Sequence, residues 1–235
     1  MEPPDPELHM QLERLVLERA GLVIHFEAPE AVRYLEELLD VGPVNSLPIR
    51  PGVHRQLADE VPEVQYAPNE EIHVVWFGGG RAGNIKDGEY GKWDDFTVDW
   101  KRLTSAGIHV HTYFSHRQAA DSRFDSHRSL FGDSDFFHMH DAIPFLQLFQ
   151  EVQKYDFLWA FYPLPWFAYR EGFDKVISSH DCLGLSAGVP VITSEHYEPL
   201  YSIIRRDEIG VAVPYAEAER LPGILQDVDR AKLRE

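Results

Sequence analysis

The chain has 235 residues, of which 44% are hydrophobic and 12% aromatic, enough for one large α/β domain or two small ones with a full core. Its formal net charge of −17 and its lack of a lysine or arginine block exclude a protein that binds nucleic acid mainly through phosphates, while leaving room for a phosphate-bearing small ligand. The single cysteine, Cys182, excludes a disulfide framework and predicts a reducing, cytoplasmic compartment, and no apolar run reaches the roughly 20 residues of a membrane span.

The first 50 residues predict a small α/β segment, because apolar residues recur there first at helical spacing and then in short runs. A polar, proline-bearing stretch follows and is interpreted as a linker. The predicted elements are helix 7–20, strand 22–26, helix 31–39 and strand 44–49. The predicted organisation is an N-terminal segment (1–52), a linker (53–71) and a larger domain (72–235).

In the larger domain, short apolar runs alternate with amphipathic stretches. This alternation predicts a doubly wound parallel sheet, because parallel strands need helical crossovers between them. The predicted strands are 72–77, 108–114, 136–143, 155–162, 189–193 and 209–213. The predicted helices are 98–106, 145–154, a helix capped by Asp174 that ends at Gly188, and 198–206. Polar loops are predicted over 84–96 and 115–135.

The stretch from Phe173 to Pro214 is the most specific part of the sequence. It reads as a helix, then Gly-Val-Pro-Val-Ile, a second helix and Ile-Gly-Val-Ala-Val. This pattern resembles the donor-binding domain of glycosyltransferases of the two-Rossmann-domain (GT-B) type. Residues 1–52 resemble the end of the first, acceptor-side domain of such enzymes, which implies that the chain begins partway through that domain.

The resemblance implies a transferase that moves a sugar from a nucleotide-diphosphate sugar, such as a UDP-sugar, to a hydroxyl of a glycan, a lipid or a small molecule. It implies no obligatory metal cofactor, because GT-B enzymes generally use a helix dipole and cationic side chains instead. The catalytic base of these enzymes normally belongs to the first domain. The catalytic residues are therefore unknown here, and a missing N-terminal domain or a partner chain is expected to complete the enzyme.

A glycine-rich turn follows the strand 72–77 and reads Gly78-Gly79-Gly80-Arg81-Ala82-Gly83. Its Gly-x-Gly-x-x-Gly spacing matches the dinucleotide fingerprint. No helix opens directly behind it, and the next strand ends in Tyr113-Phe114-Ser115 rather than in an acidic residue, which disfavours NAD. A plain glycine turn and a loop that faces a sugar nucleotide both stay open. By resemblance, Gly79 and Gly80 face the donor, and Arg81 and Lys86 contact its diphosphate.

Two histidine pairs carry the same spacing. His138 and His140 alternate on one predicted strand, and His109 and His111 do so on another, which puts each pair on one face of the sheet. Such pairs are compatible with a metal-dependent hydrolase, but each supplies only two ligands, and histidines packed at a sheet edge are the alternative. By resemblance, His138 or His140 contacts the sugar or the base of the donor.

The helix predicted after Asp174 begins with Lys175, and a helix N-terminus suits a diphosphate. A solvated Lys175 is the alternative. Ser178 and Ser179, one turn on, are expected either to hydrogen-bond phosphate or ribose or to face solvent. Glu195 is expected either to contact the ligand or to cap the next helix. Many retaining GT-B enzymes carry two glutamates in this helix, at positions occupied here by Lys175 and Leu183. This departure favours a second interpretation, a non-catalytic subunit that binds a sugar nucleotide.

Overall fold

The structure is a computed structural model, and it describes residues 6–19, 23–26, 33, 36–37, 39–49, 66–68, 70–78, 96–114, 132, 134–162 and 177–234. Among these residues, no helix combines the length and the apolar character needed to cross a bilayer.

The N-terminal part contains the predicted α/β segment. Helix α1 spans Pro6–Arg19, and the strands β1 (Val23–Phe26) and β2 (Ser46–Ile49) pair in parallel as a two-stranded sheet of their own. The predicted helix over 31–39 is described only at single positions, of which 33, 36 and 37 are helical. The predicted domain boundaries at residues 52 and 71 stay predictions.

Six parallel strands form the main sheet, which confirms the predicted α/β class. Counted along the chain, they lie in the order third, second, first, fourth, fifth, sixth, which is the order of a dinucleotide-binding Rossmann sheet. The fourth strand is fully buried along its length, as expected for the centre of such a sheet. The strands are β3 (His73–Gly78), β4 (His109–Phe114), β5 (Phe137–His140), β6 (Phe157–Ala160), β7 (Val191–Thr193) and β8 (Gly210–Ala212).

Two predicted strands are four residues shorter than the sequence suggested, and the ends of the others differ from the prediction by one or two residues. The strand predicted over 136–143 spans only Phe137–His140. Its last residue pairs with Tyr113, one residue before the partner strand ends, and Pro144 is the N-cap of the next helix. The strand predicted over 155–162 pairs only over Phe157–Ala160, although Phe161 and Tyr162 stay buried beyond it.

Helices cover both faces of the sheet. They are α2 (Thr97–Ser105), α3 (Phe145–Val152), α4 (Ser179–Ser186), α5 (Glu198–Asp207) and α6 (Leu221–Asp227), with 3₁₀ turns at Tyr215–Arg220 and Lys232–Arg234. Adjacent residues of β3 identify the two faces. The Trp76 ring lies 5.9 Å from the ring of Trp100 in α2, and the Phe77 ring lies 4.8 Å from that of His180 in α4. Since successive side chains of a strand point to opposite faces, α2 and α4 lie on opposite sides of the sheet.

The start of α4 differs from the prediction. Asp174 is not its N-cap, since the helix begins four residues later than expected and Ser178 is the capping residue. Ser178 has extended backbone (ψ 153°), and its Oγ accepts the N–H of Asp181 at 3.2 Å. Lys175 is therefore not the first residue of the helix, and both Asp174 and Lys175 lie outside the described residues. The predicted end is confirmed, because Gly188 follows the helix with a positive φ of 71°.

A buried carboxylate ties the C-terminal residues to the amino end of the sheet. Asp156, directly before β6, is fully buried, and its Oδ2 accepts the backbone N–H of His73 at 2.7 Å. Its Oδ1 accepts from Arg230 at 2.9 Å and from the hydroxyl of Tyr66. The guanidinium of Arg234 lies 3.8 Å from the centre of the Tyr66 ring. The segment before β3 and the C-terminal residues are therefore both held next to the buried carboxylate of Asp156.

Candidate functional site

The strand order creates a crevice between β3 and β6. Connections leave these two strands for opposite faces of the sheet, and ligands of open α/β sheets bind outside the carboxyl ends of the strands at such a point. We call the carboxyl ends of β3 and β6, together with the N-terminus of α4, the switch-point edge. The predicted ligand residues Gly79, Gly80, Arg81 and Lys86 follow β3 in sequence and lie outside the described residues.

The N-terminus of α4 is fixed at this edge by a buried network. Ser178 Oγ donates to Asp181 Oδ2 at 2.6 Å and accepts the Asp181 N–H at 3.2 Å, so the N-cap side chain is bonded to Asp181 twice. The hydroxyl of Tyr197 donates to the same Oδ2 at 2.8 Å and accepts the N–H of Ser178 at 2.7 Å. Burial, and after it the charge of Asp181, raises the pKa of Tyr197 well above its usual value, so the hydroxyl keeps its proton and stays a donor.

The first turn of α4 offers backbone donors. No described residue accepts from the N–H groups of Ser179 and His180, whereas those of Ser178 and Asp181 are bonded within the network. Unpaired amides at the positive end of a helix dipole form a seat for an anion. The predicted ligand residue Ser178 lies at this seat, although its hydroxyl is committed to the cap. Ser179 is the first residue of α4.

His180 joins the helix to the end of β3 and was missed by the sequence analysis. Its Nδ1 lies 2.9 Å from Asp181 Oδ1, without the alignment of a hydrogen bond. His180 Nε2 and Asp181 Oδ1 are buried and have no hydrogen-bond partner among the described residues, as expected where a polar ligand or water belongs. The Ser178-x-x-Asp181 pattern was the signal that could have placed His180 in the first turn.

Glu195 has a different partner from those predicted. Its Oε2 accepts the N–H of Tyr215 at 2.6 Å, so it caps the 3₁₀ turn at Tyr215–Arg220. The expectation that it caps the next helix is wrong, because α5 follows Tyr197 and has no side-chain cap. Contact between Glu195 and a ligand stays a prediction.

The predicted histidine pairs belong to a larger group, which we call the histidine cluster: His73, His109, His111, His138 and His140. It spans the neighbouring strands β3, β4 and β5 on one face of the sheet, so the predicted alternation is confirmed. Two hydrogen-bonded chains run through it. His111 contacts His73 at 2.9 Å and His140 at 3.0 Å, and His109 contacts His138 at 2.8 Å and Glu71 at 3.0 Å.

Burial favours the neutral form of four of these imidazoles, those of His73, His111, His138 and His140. Burial first, and neighbouring imidazoles second, lower the pKa of His111 to about 2, and the same two causes lower the pKa values of His73 and His138. Burial also lowers the pKa of His140. A neutral imidazole has one donor and one acceptor nitrogen, so a chain of such rings can satisfy its members.

The cluster is distinct from the switch-point edge. His73 and His109 are the first residues of β3 and β4, so this part of the cluster lies at the amino ends of the strands. His138 and His140 are on β5, the edge strand, which is separated from the crevice by β4 and β3. His138 and His140, which were predicted to contact the donor, therefore lie with other histidines rather than with Ser178.

Comparison with known proteins supports the fold. No protein-family model and no curated protein matches the chain. Among solved structures, it is similar to a sucrose-phosphate synthase from Thermosynechococcus elongatus, with 17% identity and a TM-score of 0.64 over 98% of this chain and 55% of that one. It is also similar to a UDP-forming α,α-trehalose-phosphate synthase from Burkholderia xenovorans, with 8% identity and a TM-score of 0.58 over 95% of this chain and 57% of that one.

These similarities confirm the predicted resemblance at the level of the fold, which is that of the GT-B glycosyltransferases. The chain spans about half the length of the solved structures that it matches.

Proposed function

We propose that this chain binds a nucleotide-diphosphate sugar and takes part in transfer of its sugar to an acceptor hydroxyl. The observation that carries the proposal is the pair of amides, Ser179 and His180, at the N-terminus of a helix that meets the end of β3 at the switch point. The buried atom His180 Nε2, which has no hydrogen-bond partner among the described residues, supports a polar ligand at the same place. The GT-B fold supports the reaction class.

The chemistry that the site must support is departure of a diphosphate. The acceptor oxygen forms a bond to the anomeric carbon while the bond from that carbon to the diphosphate oxygen breaks. Negative charge then grows on the diphosphate, and fixed N–H dipoles directed at that charge stabilise it. In our proposal the α4 amides do this together with Arg81, Lys86 and Lys175, and no metal cofactor is required. In this proposal, the acceptor site and the catalytic base belong to the rest of the enzyme, which includes any partner chain.

The test removes one amide and keeps the helix. Proline is well tolerated at the first position of a helix, and Ser178, which precedes it, already has the extended backbone that a following proline requires. Ser179→Pro therefore deletes one N–H at the seat with little effect on folding. The matched control is Phe145→Pro, at the first position of α3 behind an extended Pro144 and with an exposed side chain.

We expect saturating UDP, GDP or their sugar conjugates to raise the Tm of the parent by about 5–10 °C. Loss of one charge-assisted hydrogen bond in Ser179→Pro weakens the affinity roughly ten- to hundredfold, measured by calorimetry, while Phe145→Pro binds like the parent. Lys175→Ala also weakens binding, and Lys101→Ala, at an exposed position of α2, does not. No response of the parent to any nucleoside diphosphate contradicts the proposal.

A second function is favoured by one observation. Leu183, at the position where the resemblance expects a ribose-binding glutamate, is buried and only 7% exposed. A chain without this glutamate suits a non-catalytic subunit that binds a sugar nucleotide for a catalytic partner. Incubating the purified chain with labelled donor separates the two functions, because either sugar transfer or donor hydrolysis excludes the non-catalytic subunit.

A further inference from the structure

Three members of the histidine cluster bring ring nitrogens close together, and the rings of His73 and His109 are stacked with their centroids 4.5 Å apart. One ring nitrogen from each of His73, His109 and His111 lies within 4.8 Å of the others, and His73 Nδ1 and His111 Nε2 are already 2.9 Å apart. In a tetrahedral zinc site with Zn–N bonds of about 2.0–2.1 Å, the nitrogen ligands are about 3.3 Å apart. Side-chain shifts of about an ångström, with rotation of the stacked His73 and His109 rings, would bring the three nitrogens to that spacing and direct their lone pairs at one ion.

The protonation states suit a metal. A coordinating imidazole must be neutral, and burial keeps His73 and His111 neutral at physiological pH. His111 can keep its proton on Nδ1, where it donates to His140 Nε2 at 3.0 Å, and present the lone pair of Nε2. Imidazole ligands suit Zn²⁺ and the neighbouring divalent ions Ni²⁺ and Cu²⁺.

Groups around the three rings resemble the outer shell of a metal site. Metal-bound histidines usually donate their other N–H to a carboxylate, and Glu71 Oε2 lies 3.0 Å from His109 Nε2. This carboxylate also supplies negative charge next to an incoming cation. The Glu71 side chain is 62% exposed and that of His109 is 12% exposed, so an ion can enter from the amino end of the sheet.

We propose that His73, His109 and His111 form a binding site for one divalent transition-metal ion, with Zn²⁺ the first choice, which joins β3 to β4 at the amino end of the sheet. Water completes the coordination. His140 hydrogen-bonds to the His111 ring, and the metal replaces His138 as the partner of His109 Nδ1. The site lies away from the switch-point edge, and it stabilises the sheet without taking part in sugar transfer. The proposal is therefore independent of the proposed function.

The experiment uses the untagged full chain after dialysis against EDTA. Calorimetric titration with Zn²⁺ is expected to give one ion per chain, and the Tm is expected to rise by roughly 5 °C at saturation. Titration with Co²⁺ is expected to give the intense visible bands of a tetrahedral complex, which Zn²⁺ then removes. Retained nucleotide binding in the metal-free protein shows that the two sites are separate.

Three variants test how much individual residues contribute to Zn²⁺ binding. His109→Gln, which removes a ligand from a partly exposed position, is expected to weaken Zn²⁺ binding by more than about a hundredfold. Glu71→Gln, which removes only the outer carboxylate from an exposed residue, is expected to weaken it about tenfold. His196→Gln is the matched control, because this histidine lies against Tyr215, outside the cluster. It is expected to bind like the parent.

Absence of stoichiometric Zn²⁺ binding by the parent overturns the proposal, and so does unchanged binding in His109→Gln. If His109→Gln does not fold, Glu71→Gln and the Co²⁺ spectrum of the parent decide the question. An octahedral spectrum, or equal affinity of Glu71→Gln and the parent, then counts against the site.

Discussion

Tyr197 provides a direct test of the network that fixes the N-terminus of α4. The side chain is 1% exposed. Among the described residues, its hydroxyl donates to the buried carboxylate of Asp181 and accepts the N–H of Ser178. Tyr197→Phe keeps the ring and removes both bonds. The ring contact with Tyr162, at 5.6 Å between centroids, remains possible in the variant.

The expected loss follows from the two bonds. A hydrogen bond to a charged group contributes about 1.5–3 kcal/mol and a neutral one about 0.5–1.5 kcal/mol. Tyr197→Phe should therefore lower the free energy of unfolding by about 2–4 kcal/mol, a large part of the 5–15 kcal/mol typical of folded domains. The variant should also bind nucleoside diphosphates more weakly, because the first turn of α4 loses an anchor.

Urea denaturation, followed by circular dichroism, measures the change as a lower midpoint at constant slope. The control is Tyr201→Phe, one turn after Tyr197 in α5. The contact described for that residue is with the guanidinium of Arg205, 5.6 Å from the ring centre, and phenylalanine preserves it. The control should lie within about 0.5 kcal/mol of the parent. Equal stability of the two variants would show that the hydroxyl network does not hold the helix.

Two further predictions concern stability. In the presence of EDTA, the free energy of unfolding falls as the pH is lowered from 7 to 5, because burial lowers the pKa of His111 from 6.5 to about 2 and only the unfolded chain takes up the proton. The contribution of the neutral His111 to the free energy of unfolding is complete above pH 6.5, and about 2 kcal/mol of that free energy is lost at pH 5. Urea midpoints that do not change between pH 7 and pH 5 contradict this explanation. Gly210→Ala should cost more than about 3 kcal/mol in the same assay, since its Cβ would lie 2.2 Å from the carbonyl oxygen of Val191. The control Gly223→Ala, in α6 with open space around the new methyl group, should gain up to about 1 kcal/mol, and a similar loss in both variants would exclude the clash as the cause.

The sheet was predictable because its signals are local. The run Val189-Pro190-Val191-Ile192-Thr193 is apolar and rich in β-branched residues, and helices separate it from the strands on either side. Parallel pairing follows from those crossovers. The ends of strands were less predictable, because pairing stops where a partner strand stops. Phe161 and Tyr162 are as apolar as the strand that precedes them, yet they lie beyond its ladder.

The start of α4 was predicted wrongly because two local signals competed. Asp174 and Ser178 are both good N-cap residues. The structure uses Ser178, which gains the bond with Asp181 and the contact with Tyr197, 19 residues further along the chain. The second contact depends on tertiary packing, which the local sequence does not contain.

The histidine cluster shows the same limit. Alternation placed His138 beside His140 on one face, but the part played by His73 depends on the register that sets it opposite His109. Register between strands 36 residues apart in sequence is fixed by the whole sheet. Among the predicted ligand residues, Gly79, Gly80, Arg81, Lys86 and Lys175 stay predictions.

The buried carboxylate of Asp156 sets a limit on how far the protein can be shortened. None of the C-terminal residues 229–234 is fully buried, and they would look dispensable in a trimming experiment. Removing them would take away Arg230 and leave a fully buried anion without its cation, which typically costs about 3–5 kcal/mol. A shorter version should therefore also replace Asp156 with an uncharged residue, or end no earlier than Arg234.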